Sequence, residues 1–216
     1  MSTRAHPAAS TDERAWLLRA VLVLQNPGAV FAALRDDSTE AARARAEPIT
    51  ALVILAGIAC VLWTPTYGRL MDDPVYDGLL VAVVAFIGGG IYGAAVYWVS
   101  GAIVHFAVRA TGGGSSFRLA RHLVAFAAAP LALSLFVLWP VRLAVYGSDV
   151  FRSGGADHGA GDDVFIALAL GFAVWAFALL FVGLRVVHGW PWSRALGTFA
   201  LASLALIGLP LLIYAV

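Results

Sequence analysis

Ser100 and His105 come nearest to a hydrolytic pair in this chain. A serine nucleophile needs a base within hydrogen-bond reach and a third group that orients the base. Five residues apart on one helix, the two side chains differ in direction by about 140°. No orienting acid lies near them in sequence, so hydrolysis requires Ser100 to meet His122 or His188 in space. His105, His122 and His188 could together hold a metal, but their spacing matches no metal-site pattern. No His-Glu-x-x-His motif is present. His105 is expected near an interface, bonded to a neighbouring helix. Cys60 is the sole cysteine, which excludes an intrachain disulfide or a cysteine cluster from one chain. No cofactor or metal is expected.

The arginines carry more information. Arg109, Arg118 and Arg121 bracket the loop Thr111-Gly112-Gly113-Gly114-Ser115-Ser116-Phe117, and Arg185 and Arg194 bracket another. Neither loop holds an acid. A phosphate-cradling reading of Gly112–Gly114 needs a preceding strand and usually a lysine, and this chain has neither. The favoured reading is a tight turn with Ser116 capping the next helix. The alternating loops are acidic, with Asp72, Asp73 and Asp77 in one and Asp149, Asp157, Asp162 and Asp163 in the other.

These loops separate apolar segments. Hydrophobic residues make up 61% of the 216 and charged residues 12%, against about 25% charged in a soluble domain. With a mean hydropathy of +0.86, the chain suits lipid as its solvent. The fold class expected is all-α, a polytopic membrane bundle of five spans at about 49–66, 79–108, 118–146, 164–187 and 195–215. The second segment is about 30 residues, or roughly 45 Å of helix, one span that tilts or projects beyond the bilayer. A bend is possible at Gly88-Gly89-Gly90. Gly89 and Gly93 form a small-xxx-small face, for intramolecular packing in preference to dimerisation. Pro130 lies near the middle of the third span, where it kinks the helix and frees carbonyls.

Residues 1–47 form a tail before a membrane domain at 48–216. The first ten residues are polar and expected to be disordered. A helix is expected from Ser10 or Thr11, with Asp12 and Glu13 in its first turn and Trp16, Leu17, Val21 and Leu24 on one face. Arg19 and the early acids argue against a cleaved signal peptide. Asn26 and Pro27 read as an N-cap and first helical residue, with Phe31 and Leu34 as buried anchors. Glu40, Arg43 and Glu47 sit at helical spacings. The tail reads as lying on the bilayer surface.

All fourteen basic residues are arginine. Only Arg69, Arg142 and Arg152 fall on the side of the acidic loops. Arginine-rich short loops stay cytoplasmic, so the N-terminus is expected inside and the C-terminus outside. The glutamates all lie in the tail and the aspartates in the tail or outer loops. That argues against a proton-coupled carrier and an intramembrane metalloprotease. Arg142 is expected to snorkel outward or to pair with Asp72, Asp73 or Asp77. The outer loops otherwise read as expendable.

In order, these pieces resemble the prokaryotic branch of the Yip (Ypt-interacting protein, YIPF) domain family. Asn26-Pro27 with Phe31 resembles its Asn-Pro-x-x-x-Phe signature, and Gly112 to Phe117 its Gly-Gly-x-Gly-Ser-Phe element. Ala125-Phe126-Ala127 with Pro130 is similar to an Ala-Tyr-x-x-x-Pro step, with Phe126 in place of Tyr. His188-Gly189, Ser193 and Ala195-Leu196 resemble its fourth loop. The acidic stretch from Gly147 to Asp163 is longer than the family pattern. The resemblance covers about residues 20–215. It implies a five-span fold with a cytoplasmic N-terminus. Eukaryotic members are associated with Rab-type GTPases and vesicle traffic.

The function expected is therefore non-enzymatic: a multi-pass protein of a bacterial plasma membrane that organises partners at its cytoplasmic face. The alternative is a small transporter, channel or lipid-handling protein. The partners are membrane lipids, and other membrane proteins or a second copy, with no nucleic acid. The candidate contact surface comprises Arg109, Gly112, Gly113, Gly114, Phe117, Arg118, Arg121, His122, Arg185, His188 and Arg194.

Overall fold

A computed structural model describes residues 18–157 and 159–215, with side chains described up to residue 208. The disorder expected of the first ten residues, and the helix start at Ser10 or Thr11 with Trp16 and Leu17, lie outside the described residues. The described chain is all-helical, with no strand. Among the described residues, eight helices follow a helical segment described over 18–22: α1 (Pro27–Ala33), α2 (Thr39–Ala44), α3 (Ala46–Val61), α4 (Gly78–Ala110), α5 (Phe117–Ala127), α6 (Ala129–Tyr146), α7 (Ala160–His188) and α8 (Trp192–Ala215). Two 3-10 helices, Tyr67–Asp72 and Gly147–Phe151, cross the α3–α4 and α6–α7 connections.

Three segments are long and apolar enough to cross a membrane: Gly78–Ala110, Phe117–Phe151 and Ala160–His188. Ala46–Val61 and Trp192–Gly208 are shorter apolar helices. The outward faces match a lipid solvent. Phe86, Ile87 and Ile91 on α4 and Leu170 and Val174 on α7 are all more than half exposed, and such continuous apolar surface does not suit water.

Local chemistry sets the boundaries. Asp77 caps α4 by accepting from Leu80 N at 2.8 Å, and Ser116 caps α5 by accepting from Leu119 N at 2.9 Å. α4 runs unbroken through Gly88–Gly90. The third apolar segment, expected as one helix, is instead two. The α5 ladder ends at Ala128, and Pro130 enters the first turn of α6, where its missing N–H is least disruptive. Pro140 is accommodated inside α6.

α3 packs chiefly on α4 and α6, α5 on α4, and α7 on α6 and α1. The α3–α4 seam is a backbone contact. A Cβ on Gly89 would lie 2.6 Å from Ile58 Cα, and one on Gly57 would lie 2.7 Å from Gly93 Cα. Gly89 and Gly93 thus serve intramolecular packing, and Gly57 is the partner that lets the helices meet.

The tail docks on the bundle. Asn26 accepts from Ala29 N at 3.3 Å to start α1. Phe31 and Leu34 are fully buried, and Phe31 packs on Gly183 of α7. Arg35 Nε donates to Val186 O at 3.0 Å. Of the face expected on the first helix, Val21 is 63% exposed, while Val23, just past the helix, is fully buried. The helix ends at residue 22 and the chain turns there.

At the opposite end, Arg142 is buried and donates to Asp157 (2.9 Å) and Asp162 (2.8 Å). It pairs with the second acidic loop, not with Asp72, Asp73 or Asp77, because the Gly147–Phe151 turn folds that loop back over α6. Asp72 instead accepts from Ser153 N (2.8 Å) and Ser153 Oγ (2.6 Å), joining the α3–α4 and α6–α7 connections. These loops are structural, not expendable.

Candidate functional site

The two arginine-bearing loops converge at one end of the bundle. Arg194 donates through Nε (3.1 Å) and Nη2 (2.8 Å) to the carbonyl of Thr111. Arg194 also lies 4.3 Å over the Trp190 ring. Thr111 Oγ1 shares a 2.8 Å hydrogen bond with Thr198 on α8. Gly112 takes a φ of +77°, the left-handed turn that a glycine supplies without strain. Gly113 lies so close to Trp190 and Val108 that a side chain would collide with both. Gly114 faces open space. The glycine run is a tight turn that seats one loop on the other.

The tail closes onto the same end. Asp37 accepts from Arg118 Nε at 2.9 Å, from the Ser116 hydroxyl, and through its backbone carbonyl from Arg118 Nη2. Burial pushes the Asp37 carboxyl up, but the Ser116 and Arg118 hydrogen bonds and the Arg118 and Arg45 charges outweigh it, holding the group below its ordinary value. Arg45, fully buried, donates to the carbonyls of Ala41 (2.9 Å), Leu34 (3.4 Å) and Asp36. It closes the bend between α2 and α3 by meeting carbonyls that the helix ends leave unpaired.

Most of the remaining predicted residues pack on aromatic rings. Arg121 stacks 3.7 Å over Trp98 and 4.9 Å from the Phe117 ring centroid. Phe117 also packs edge-on against His105. Arg185 lies 4.5 Å over Trp192, and His188 stacks on Trp190. Arg109 is exposed at the end of α4.

Among the described residues, His105, His122 and His188 do not form a ligand set. His105 Nδ1 is buried without a hydrogen-bond partner, so the expected bond to a neighbouring helix is replaced by ring contacts with Phe106 and Phe117. His122 is 7% exposed, with Nδ1 unpartnered. His188 Nδ1 lies 3.0 Å from Leu184 O in its own helix. Among the described residues, no three His, Cys, Asp or Glu side chains gather as a metal site. Among the described residues no hydrogen bond joins Ser100 to a histidine.

Against His122 lies a groove of about 670 Å³ between α2, α3, α4 and α5. Its rim carries Arg43, Arg118 and Arg121, and its wall is apolar, including Ile49, Val53 and Ala94.

The Yip1 domain model matches residues 21–215. The chain belongs to the Yip1 domain family. No curated protein and no solved structure matches it. Membership makes it a multi-pass membrane protein, in keeping with its apolar helices. In this Yip1 domain the Asn-Pro-x-x-x-Phe residues start α1 and dock it on α7, and the glycine–serine–phenylalanine residues make the loop that receives Arg194 and Asp37. Sequence reasoning missed Asp37, Trp98, Trp190 and Trp192. The two tryptophans flanking Pro191 between Arg185 and Arg194 were the available signal, an aromatic–cation interleaving at an interface.

Proposed function

We propose that this Yip1-domain protein is a non-enzymatic, five-span membrane protein that organises partners through its arginine-bearing face. The observation that carries this reading is the interlock at that face. The Arg194–Thr111 and Arg118–Asp37 bonds hold two loops and the tail as one cationic, aromatic surface. Rigid aromatic and arginine side chains are what a contact surface uses.

In this reading residues 1–47 are a cytoplasmic tail, residues 48–216 are the membrane domain, and the C-terminus lies outside a bacterial-type plasma membrane. The distribution of arginine supports the orientation. The 16 residues of α3 give roughly 24 Å of helix. The aromatic anchors Trp63 and Tyr67 extend it toward the roughly 30 Å of a bilayer core. The contact residues are Arg109, Arg185, His188, Arg194 and the loop from Gly112 to Arg121.

Two measurements test the proposal. With Cys60 replaced, Gly154→Cys should react with an impermeant maleimide from outside the cell and Arg109→Cys should not; the reverse pattern overturns the orientation. A photo-crosslinker at Trp192 should give discrete adducts in native membranes, with a second copy or another membrane protein. Replacing Arg185 and Arg109 with Gln should remove them. Absence of any adduct with a monomeric chain overturns the organising role. The alternative, a lipid-handling protein, is favoured by the groove beside His122 alone.

A further inference from the structure

We propose that the groove beside His122 holds one acidic phospholipid, its phosphate among Arg43, Arg121 and His122 and one acyl chain along α3 and α4. The inference rests on the reading that the arginine-bearing end meets the membrane surface.

Its chemistry is divided along its length. Arg43, Arg118 and Arg121 line one end, and no carboxylate lines the groove. Arg118 is already engaged by Asp37. Arg121 is not: its Nε is buried without a hydrogen-bond partner, and its ring contacts leave its donors available. The Arg43 side chain is exposed and makes no hydrogen bond or ion pair among the described residues. His122 adds a side chain more than nine-tenths buried, with an unpartnered ring nitrogen, lining the groove. A buried polar atom without a partner needs an explanation, and a water or ion at the site is one. Two guanidinium groups and an imidazole suit a phosphate, whose oxygens accept charge-assisted hydrogen bonds.

Away from the arginines the wall is apolar: Ile49 and Val53 on α3, Gly90 and Ala94 on α4. From Tyr97, beside Arg121, to Gly90 is about 10 Å along the helix, a length that an acyl chain would cover. The depth is also right for a lipid. Starting from Gly78, about 20 residues of α4 cross a bilayer core of about 30 Å, which brings Tyr97 and Trp98 to the far boundary. Trp98 is 52% exposed there, as interfacial tryptophans are. The headgroup end of the groove therefore coincides with the headgroup layer. A volume of about 670 Å³ lies within the range of ligand sites.

The concavity depends on Gly90. A Cβ there would meet nothing within 4 Å, so a larger side chain would fill the groove without disturbing the helices. Gly171 on α7 is equally open and lies outside the groove, which makes it a matched control.

The test is native mass spectrometry of the full chain in detergent, with phosphatidylglycerol or phosphatidylcholine added in separate arms. The wild type should retain one phosphatidylglycerol per chain, about tenfold more strongly than phosphatidylcholine, a preference of about 1.4 kcal/mol. Gly90→Leu, and independently Ala94→Leu, should reduce retention about tenfold. Gly171→Leu should leave it unchanged. Arg43→Gln with Arg121→Gln should abolish the preference for the acidic lipid. Inorganic phosphate should not displace the lipid. Equal retention of both lipids by the wild type, undiminished retention in folded Gly90→Leu and Ala94→Leu, or displacement by phosphate would overturn the proposal. Because the readout is lipid bound to a single chain, it can fail while maleimide labelling and crosslinking succeed, and the reverse.

Discussion

The Arg142 guanidinium donates to Asp162 at 2.8 Å while lying 4.4 Å over the face of Trp63. One buried cation thus joins the end of α6 and the start of α7 to the end of α3, and Asp157 at 2.9 Å is a second acceptor on the same Nη2. Removing one member of such a group leaves uncompensated charge, whereas the intact group contributes little over an apolar replacement. Arg142→Leu should destabilise the protein by about 3 kcal/mol. Thermal unfolding in detergent, followed by tryptophan fluorescence, measures this. Replacing Arg142, Asp157 and Asp162 together with apolar residues should recover much of the loss.

The α3–α4 seam makes a sharper demand on side-chain size. Gly57, Gly89 and Gly93 face one another so closely that a methyl on any of them meets opposing backbone. Backbone cannot swing aside as a flexible side chain can. Gly57→Ala and Gly89→Ala should each lower the melting temperature strongly, although alanine is the better helix former by about 1 kcal/mol. Gly90→Ala, one residue away and facing open space, should be neutral or slightly stabilising. Equal effects at Gly89 and Gly90 would show that the seam is not a backbone contact.

The contrast between those adjacent glycines shows what was legible in the sequence. Hydrophobic runs and caps foretold α4 nearly to the residue, because Asp77 and the glycine turn at Gly112 are local signals. Phe31 was foretold as an anchor for the same reason. The split at Ala128 was half legible: Pro130 announced a disturbance but not that the helix would end and restart. The orientation of each glycine depends on which helix lies opposite, so Gly57 gave no signal alone. Arg142 was read against the wrong loop because both loops at that end are acidic, with three and four aspartates. Only the fold of the Gly147–Phe151 turn decides which of them returns. Asp37, the carboxylate that ties the tail to Ser116 and Arg118, lies some 80 residues from its partners, beyond any local pattern.

That carboxylate gives the tail a defined pH response. Its folded value is held below the ordinary 3.8. A depressed carboxyl contributes stability that is fully present above the unfolded value and is lost as pH falls through the folded one. Attachment through Asp37 should therefore be constant from about pH 8 to about pH 5 and weaken only below the unfolded value. Asp37→Asn should weaken it at neutral pH, by on the order of 1 kcal/mol for a partly exposed pair. Hydrogen exchange of residues 36–44 and 115–119 reports both effects. Weakening near neutral pH in the wild type would mean that another group governs the attachment.

Phe31 and Gly183 should behave as a lock whose halves cannot be changed independently. Phe31 is fully buried, and a Cβ on Gly183 would lie 3.0 Å from its Cε1. Phe31→Ala removes a ring from a closed site and should cost about 3 kcal/mol in local stability. Gly183→Val fills the same space from the other side and should expel the ring. Either change frees α1, and with it the Arg35 bond to Val186 O. Trypsin should then cut after Arg35 much faster than in the wild type. Residues in contact are not additive, so Phe31→Ala with Gly183→Val should be less damaging than the sum of the two, the new side chain occupying the vacated space. Cleavage after Arg35 that stays slow in both single variants would show that α1 is held by something other than this ring.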